Sequence, residues 1–211
     1  MRIAIFGATG GTGRHLIAEG LRHGHALTAL TRNPVRLDAG HRRLRVVQGD
    51  VLDAASVAAV IDGSDAVIAS LATHAGDDEQ FYAAATDNVV KAMEATGTRR
   101  VVFVSAGPLA PRHPNDTAPY RLLIKPLLWR VLGRHYRGLA HMEQRLRGSA
   151  LEWTILRPPQ LTETPATGRY RMTFDGTVRR GYRLSRADLA AAALDLLEDP
   201  RARRAAVAIA N

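Results

Sequence analysis

At 211 residues, with 46% hydrophobic and 23% charged side chains, the chain has ordinary globular composition, and a single domain spanning 1–211 is expected rather than a disordered or multi-core one. The absence of cysteine excludes disulfides, thiolate metal sites and a cysteine nucleophile; no metal site is expected, and a cytoplasmic location is the default. The formal charge of +9 is carried almost wholly by arginine, with Lys91 and Lys125 the only lysines, and the pairs at 42–43, 99–100, 179–180 and 203–204 are scattered, which reads as a solvated surface rather than a nucleic-acid tract.

The chain begins with a short apolar run, Ile3 to Phe6, that stops at Gly7 and gives way to an amphipathic segment from about Thr12. The pattern is strand, turn, helix. Gly7, Gly10 and Gly13 follow G-x-x-G-x-x-G, a variant of the fingerprint in which bare backbone lets a pyrophosphate approach a helix N-terminus. No basic leader precedes this strand, and no later apolar run approaches the roughly 18 residues of a membrane span, so neither export nor spanning is expected.

A second strand, Ala26–Leu30, ends in Thr31-Arg32-Asn33-Pro34, where a protein that prefers NAD would place an acid to hold the ribose 2′-hydroxyl. Arg32 instead suits a 2′-phosphate and favours NADP(H) over NAD(H); its competing reading is a surface arginine before a turn. A third strand, Leu44–Val47, leads to Asp50, which either accepts from the adenine amino group or caps the helix over 54–61. The fourth strand, 65–71, should end beneath the ribose, and His74 in the following loop is a substrate-loop candidate set against a solvated histidine. After a helix over 78–95 comes a fifth strand, 100–107, apolar on both faces, with Ser105 near its C-terminal end.

From Tyr120 to Leu146 the pattern is helical and basic, and Pro126, Gly133 and Gly138 are expected to break it into a packed helix pair. A lid, a dimer face or a membrane-surface helix would need its apolar stripe left exposed. A sixth strand, 151–157, runs into Pro158-Pro159-Gln160. The segments 169–174 and 177–184 about Asp175-Gly176 read as a β-hairpin, Ser185 to Asp188 as a capped helix start, and 204–209 as a last strand. Strands alternating with helices give an α/β, doubly wound parallel sheet, a Rossmann fold of order 3-2-1-4-5-6 with a small C-terminal substrate-side cap.

The opening I-A-I-F-G-A-T-G-G-T-G, G-D-V at 49–51, D-A-V-I at 65–68, S-A at 105–106, R-P-P at 157–159 and S-x-A-D-L at 185–189 occur in this order in the atypical short-chain dehydrogenase/reductase group. Within that group the chain resembles the NAD(P)H-binding proteins similar to biliverdin-IXβ reductase/flavin reductase, and more distantly the NmrA-like proteins. The resemblance implies hydride transfer from NADPH to a flavin or similar conjugated ring. It places Gly7, Thr9, Gly10, Gly11, Thr12 and Gly13 at the phosphates, Arg32 at the 2′-phosphate and Asp50 and Val51 at adenine. Leu71 and Ala72 would lie near the ribose, and Ser105, Pro158 and Pro159 would flank the nicotinamide. Ser105 and Gln160 are the catalytic candidates, although Gln160 stands where such reductases carry histidine and cannot donate a proton near neutral pH.

The Tyr-x-x-x-Lys pair of ordinary short-chain dehydrogenases is missing: Ala140 follows Tyr136 and Ile124 follows Tyr120 at that spacing. Alcohol–ketone chemistry is therefore disfavoured, whereas ring reduction needs chiefly a positioned hydride donor. Glu143 reads as an ion-pair partner on an arginine-rich helix, or as a group orienting a site residue. The expected partner is a small acceptor, a flavin, quinone or tetrapyrrole, taken by a monomer or homodimer. The alternative is a non-catalytic, NmrA-like NADP(H) sensor; direct nucleic-acid binding would require the arginines to converge on one face.

Overall fold

The structure, a computed structural model, describes residues 1–37, 40–72, 78–111 and 116–211. Six parallel strands form its centre: β1 (Arg2–Phe6), β2 (Ala26–Thr31), β3 (Leu44–Gln48), β4 (Ala66–Ala69), β5 (Arg100–Val104) and β6 (Glu152–Arg157). They lie in the order 3-2-1-4-5-6, as the alternating pattern predicts. The sheet extends past β6 through β10 (Ala205–Ala210), which is parallel to it, and then β8 (Arg171–Phe174), which is antiparallel to β10.

The inner strands β1, β4, β5 and β6 bury side chains on both faces, which explains why they read as largely apolar runs, whereas the edge strand β3 buries only Leu44. From β1, Ile3 and Ile5 enter the core layer shared with α1 (Gly11–Arg22) and α5 (Arg186–Glu198). Ala4 and Phe6 enter the opposite layer, against α2 (Ala54–Ile61), α3 (Asp78–Thr96) and α4 (Lys125–Gly148). Burying each such side chain stabilises the fold by about 1.5–3 kcal/mol.

Four sequence expectations are corrected. The hairpin about Asp175-Gly176 does not form: β8 pairs with β10, while 183–185 is strand β9, parallel to β7 (Gln160–Thr162) in a separate two-stranded sheet. The turn chemistry is present, with Asp175 at φ 52°, but each flanking strand finds a better partner than the other. Over 120–146 two helical stretches form, as expected, and meet at a kink at Leu132 (φ −110°, ψ 17°) beside Gly133, but neither Pro126 nor Gly138 interrupts the segment: a π-turn at Tyr120–Ile124 runs directly into α4. Pro126 sits in the first turn of α4, a position that tolerates its missing N–H. The cap of α2 is Asp53, which accepts from Ser56 N at 2.9 Å, while Asp50 folds back to accept from Leu52 N at 2.9 Å.

Lastly, Arg100 is not a surface arginine. Its buried guanidinium donates to the Leu196 and Leu197 carbonyls at the end of α5, to the Val101 and Glu152 carbonyls, and to Thr154 Oγ1. Burial lowers its pKa to about 10, which leaves it charged at neutral pH and matched to the negative end of the helix.

Candidate active site

The strand order reverses between β1 and β4, and the carboxyl ends of β1, β4, β5 and β6 meet at one edge of the sheet. The register brings Phe6 beside Ala69, Ala69 beside Phe103 and Phe103 beside Ile155. A crevice at such a reversal is where open α/β sheets take their ligands. Gly7 turns the chain there with φ +80°, and a Cβ on it would stand 2.0 Å from the Ser70 carbonyl oxygen. A Cβ on Gly13 would stand 2.1 Å from Gly7 O, so only glycine lets helix and strand approach this closely.

Gly10 is the N-cap of α1, no side chain caps it, and the first turn holds no acid. Its amide is held by Gly7 O at 3.1 Å, and Thr12 is buried behind the loop formed by Gly7, Ala8, Thr9, Gly10 and Gly11. Arg186 lies across this turn: a Cβ on Gly11 would meet its Cδ at 2.7 Å. A bare helix N-terminus beneath a guanidinium fits a pyrophosphate. The Arg186 contact was missed in the sequence because the S-x-A-D-L motif was read only as a helix start.

Arg32 is exposed just past β2. Thr31 Oγ1 accepts from Asn33 N at 3.1 Å, and Asn33 caps the following turn through Val35 N at 3.2 Å. The expected turn is formed, and Arg32 stands exposed before it. Asp50 is half-buried beside buried Val51, whose carbonyl accepts from Asn88 on α3 at 3.0 Å. Leu71 is half-buried under Tyr82, which donates to its carbonyl at 3.4 Å, and Ala72 is exposed. His74 lies outside the described residues.

At the other end of the crevice Ser105 is 7% exposed and donates through Oγ to Glu143 Oε1 at 2.6 Å. Glu143 also receives Arg157 Nε at 3.0 Å and Nη2 at 2.5 Å, in a bidentate pair with both side chains more than nine-tenths buried. The ion-pair reading of Glu143 therefore holds, though the arginine it pairs with comes from β6 and not from its own helix, and the same carboxylate also holds Ser105 Oγ. Gly107 N donates to the Pro158 carbonyl at 2.7 Å, locking the ends of β5 and β6 together; Pro158 is buried, Pro159 half-buried and Gln160 exposed at the rim.

Beyond these residues opens a cavity of about 610 Å³, within the usual range for ligand pockets. Pro158, Pro159 and Gln160 form one side, Ile124, Leu128 and Leu132 another, and Tyr120, Tyr136 and Tyr182 supply the aromatic surface. Thr117 and Tyr182 hydroxyls join across the mouth at 3.0 Å. Burial, reinforced by Asp116, pushes Tyr120 up to about 12, and burial raises Tyr136 as well. A proton relay needs the opposite shift, and the Lys125 ammonium donates to the Ala110 carbonyl at 2.6 Å.

A doubly wound sheet with a glycine-lined turn at its point of reversal defines a dinucleotide-binding protein of the Rossmann class. The chain belongs to the NAD(P)H-binding family, which it matches over residues 7–200. It superposes on a Veillonella parvula short-chain dehydrogenase/reductase in complex with NADP with a TM-score of 0.85, at 21% identity, covering 100% of this chain and 94% of that one. ChuY, an anaerobillin reductase of Escherichia coli O157:H7, gives 0.80 at 22% identity, with 100% and 97% covered. These identities carry the fold alone.

Among sequences, an uncharacterized Mycobacterium tuberculosis protein is 38% identical over 107 residues, 51% of this chain. The matched region spans only 12% of that protein's length. YwnB of Bacillus subtilis, also uncharacterized, is 26% identical over 210 residues, 95% of this chain and 93% of its own.

Proposed function

We propose that the protein is an NADPH-dependent reductase that passes a hydride to a flavin or a similar conjugated ring, such as a quinone or tetrapyrrole, in the cytoplasm. The observation that carries the reading is the apolar, tyrosine-walled cavity opening where the Ser105 and Pro158 ends of the crevice meet. NADPH would supply the hydride from its nicotinamide ring.

The residues of the chain divide the remaining work. The backbone from Gly7 to Gly13 and Arg186 bind the phosphates, Arg32 takes the 2′-phosphate, Asp50 and Val51 hold the adenine, and Leu71 and Ala72 back the ribose. Ser105 gives its only proton to Glu143 and so offers its oxygen as a fixed acceptor for the carboxamide N–H. Pro158 and Pro159 form a rigid wall behind the ring, and Gln160 hydrogen-bonds the acceptor. Tyr120 and Tyr136, with raised pKa values, stay neutral and pack against it, and solvent delivers the proton. Positioning carries this reaction, which suits a site where Gln160 stands in place of an acid and the cavity tyrosines hold their protons.

Steady-state NADPH oxidation, screened against flavins, quinones and tetrapyrroles, tests the proposal; turnover above the free-solution background is expected, and none with any acceptor overturns it. Arg32→Asp should weaken NADPH by about tenfold or more while sparing NADH, given the strength of a hydrogen bond to a charged group. Equal weakening of both refutes the preference for NADP. The alternative, an NADP(H) sensor, draws on the same lack of a proton donor; cofactor binding without turnover, with partner capture that follows the redox state, would favour it.

A further inference from the structure

The rod formed by the π-turn and the first half of α4 has two apolar sides. One lines the cavity through Ile124, Leu128 and Leu132. The other faces outward: Leu123 is 70% exposed, Leu127 60% and Val131 71%, at i, i+4 and i+8, with Leu122 beside them at 65%. Surface leucines occur singly in most proteins, but a contiguous row is the mark of an interaction face. The two sides are continuous, because Ile124 and Leu132 line the cavity and are also 45% and 42% exposed.

The charge of this face selects its partner. No aspartate or glutamate occurs from Thr117 to Met142, whereas Arg121, Arg130 and Arg134 are exposed along the row. Arg130 stands three residues past Leu127, on its own helical face, and Arg134 is exposed just beyond the bend at Leu132. A second copy docked face to face would oppose these arginines to themselves, since a two-fold interface presents the same patch from both sides. An anionic lipid surface answers both features: acyl chains accept the leucines, and phosphates accept the guanidinium groups. No helix among the described residues is long and apolar enough to cross a membrane, so the contact is a seat on the surface.

We propose that residues 120–134 dock the protein on an anionic bilayer, which turns the apolar rim of the cavity toward the lipid and opens it to acceptors dissolved there. The test is sedimentation of the whole protein with vesicles of phosphatidylglycerol and phosphatidylcholine in equal parts, against vesicles of phosphatidylcholine alone. Binding to the anionic vesicles only is expected, weakening as salt is raised. Arg130→Ala with Arg134→Ala should reduce the partition coefficient about thirtyfold, taking each cation's share at a charged surface. Leu123→Ser with Leu127→Ser and Val131→Ser should reduce it about tenfold or more at unchanged circular dichroism. None of these five side chains lines the cavity, so NADPH affinity should be unaltered.

Equal binding to both vesicles, or no binding to either, overturns the proposal. Full binding by the triple serine variant also overturns it, because charge alone, as toward an acidic protein, would then suffice. A dimer in analytical ultracentrifugation that the serine substitutions dissociate would reassign the face to a second copy. Vesicle binding requires neither cofactor nor turnover, so its failure would leave the reductase reading standing.

Discussion

Glu143 is the residue that ties together the β5 and β6 ends of the crevice. It joins three elements: its own α4, the end of β5 through Ser105 and the end of β6 through Arg157. A buried bidentate pair gives little net stability over an apolar pair of the same shape, but removing one partner strands the other charge. Glu143→Gln should therefore lower stability by about 3–5 kcal/mol, read from urea unfolding, while Glu143→Leu combined with Arg157→Met should cost much less. Equal costs would show that the pair acts as packing only. The sequence named Ser105 and Glu143 as site candidates but could not join them. Nothing local marks Arg157, out of so many arginines, as the buried one. The same blindness put Arg100 on the surface, because burial of a charge depends on carbonyls contributed by distant segments, here the end of α5 and the neighbouring β6.

Among the elements, α5 shows how a short motif acts at a distance. Ser185 caps it by accepting from Asp188 N at 2.9 Å, as the S-x-A-D-L spacing predicts. The buried Asp188 carboxylate then reaches back to accept from the amides of Thr167 and Gly168 and from the Thr167 hydroxyl at 2.8 Å. Burial pushes its pKa up, but these bonds outweigh it and hold the carboxyl below its ordinary value of 3.8. A depressed carboxylate stabilises the fold fully above its unfolded pKa, and that contribution is lost as pH falls through the folded value. Asp188→Asn should cost about 1–3 kcal/mol at neutral pH, with the gap from wild type closing below about pH 4 in urea midpoints taken across acid pH. A gap constant with pH would refute the charge assignment. The hairpin failed for the complementary reason. Asp175-Gly176 specifies a turn and says nothing about which strands lie beside it, and the open edge of β10 took β8.

For the whole molecule, the six-strand order was legible because each apolar run, each intervening helix and the glycine turn agree on one topology. The two strands that widen the sheet, β10 and β8, were only half legible, one read as a strand and the other given the wrong partner. With the proposed cofactor crevice spanning the ends of β1, β4, β5 and β6, bound NADPH should stabilise the molecule as a unit. At a hundredfold excess over its dissociation constant the gain is about 2.7 kcal/mol. For a chain of this size that raises the melting temperature by about 5–10 °C, measurable by scanning calorimetry, and Arg32→Asp should shrink the increment at equal NADPH. No shift at saturating NADPH would remove the crevice as the cofactor site.

The bend at Leu132 divides α4 by task as well as by direction. Residues before it wall the cavity or face outward, whereas those after it, apart from Tyr136 on the cavity wall, belong to the buried layer with α3 and carry Glu143, which accepts from Ser105. On the proposed function, mutation can explore the first half, changing which acceptor is admitted, while Glu143 in the second half keeps Ser105 in place. A lineage built on such a plan would change its diet without relearning how to hold its reductant.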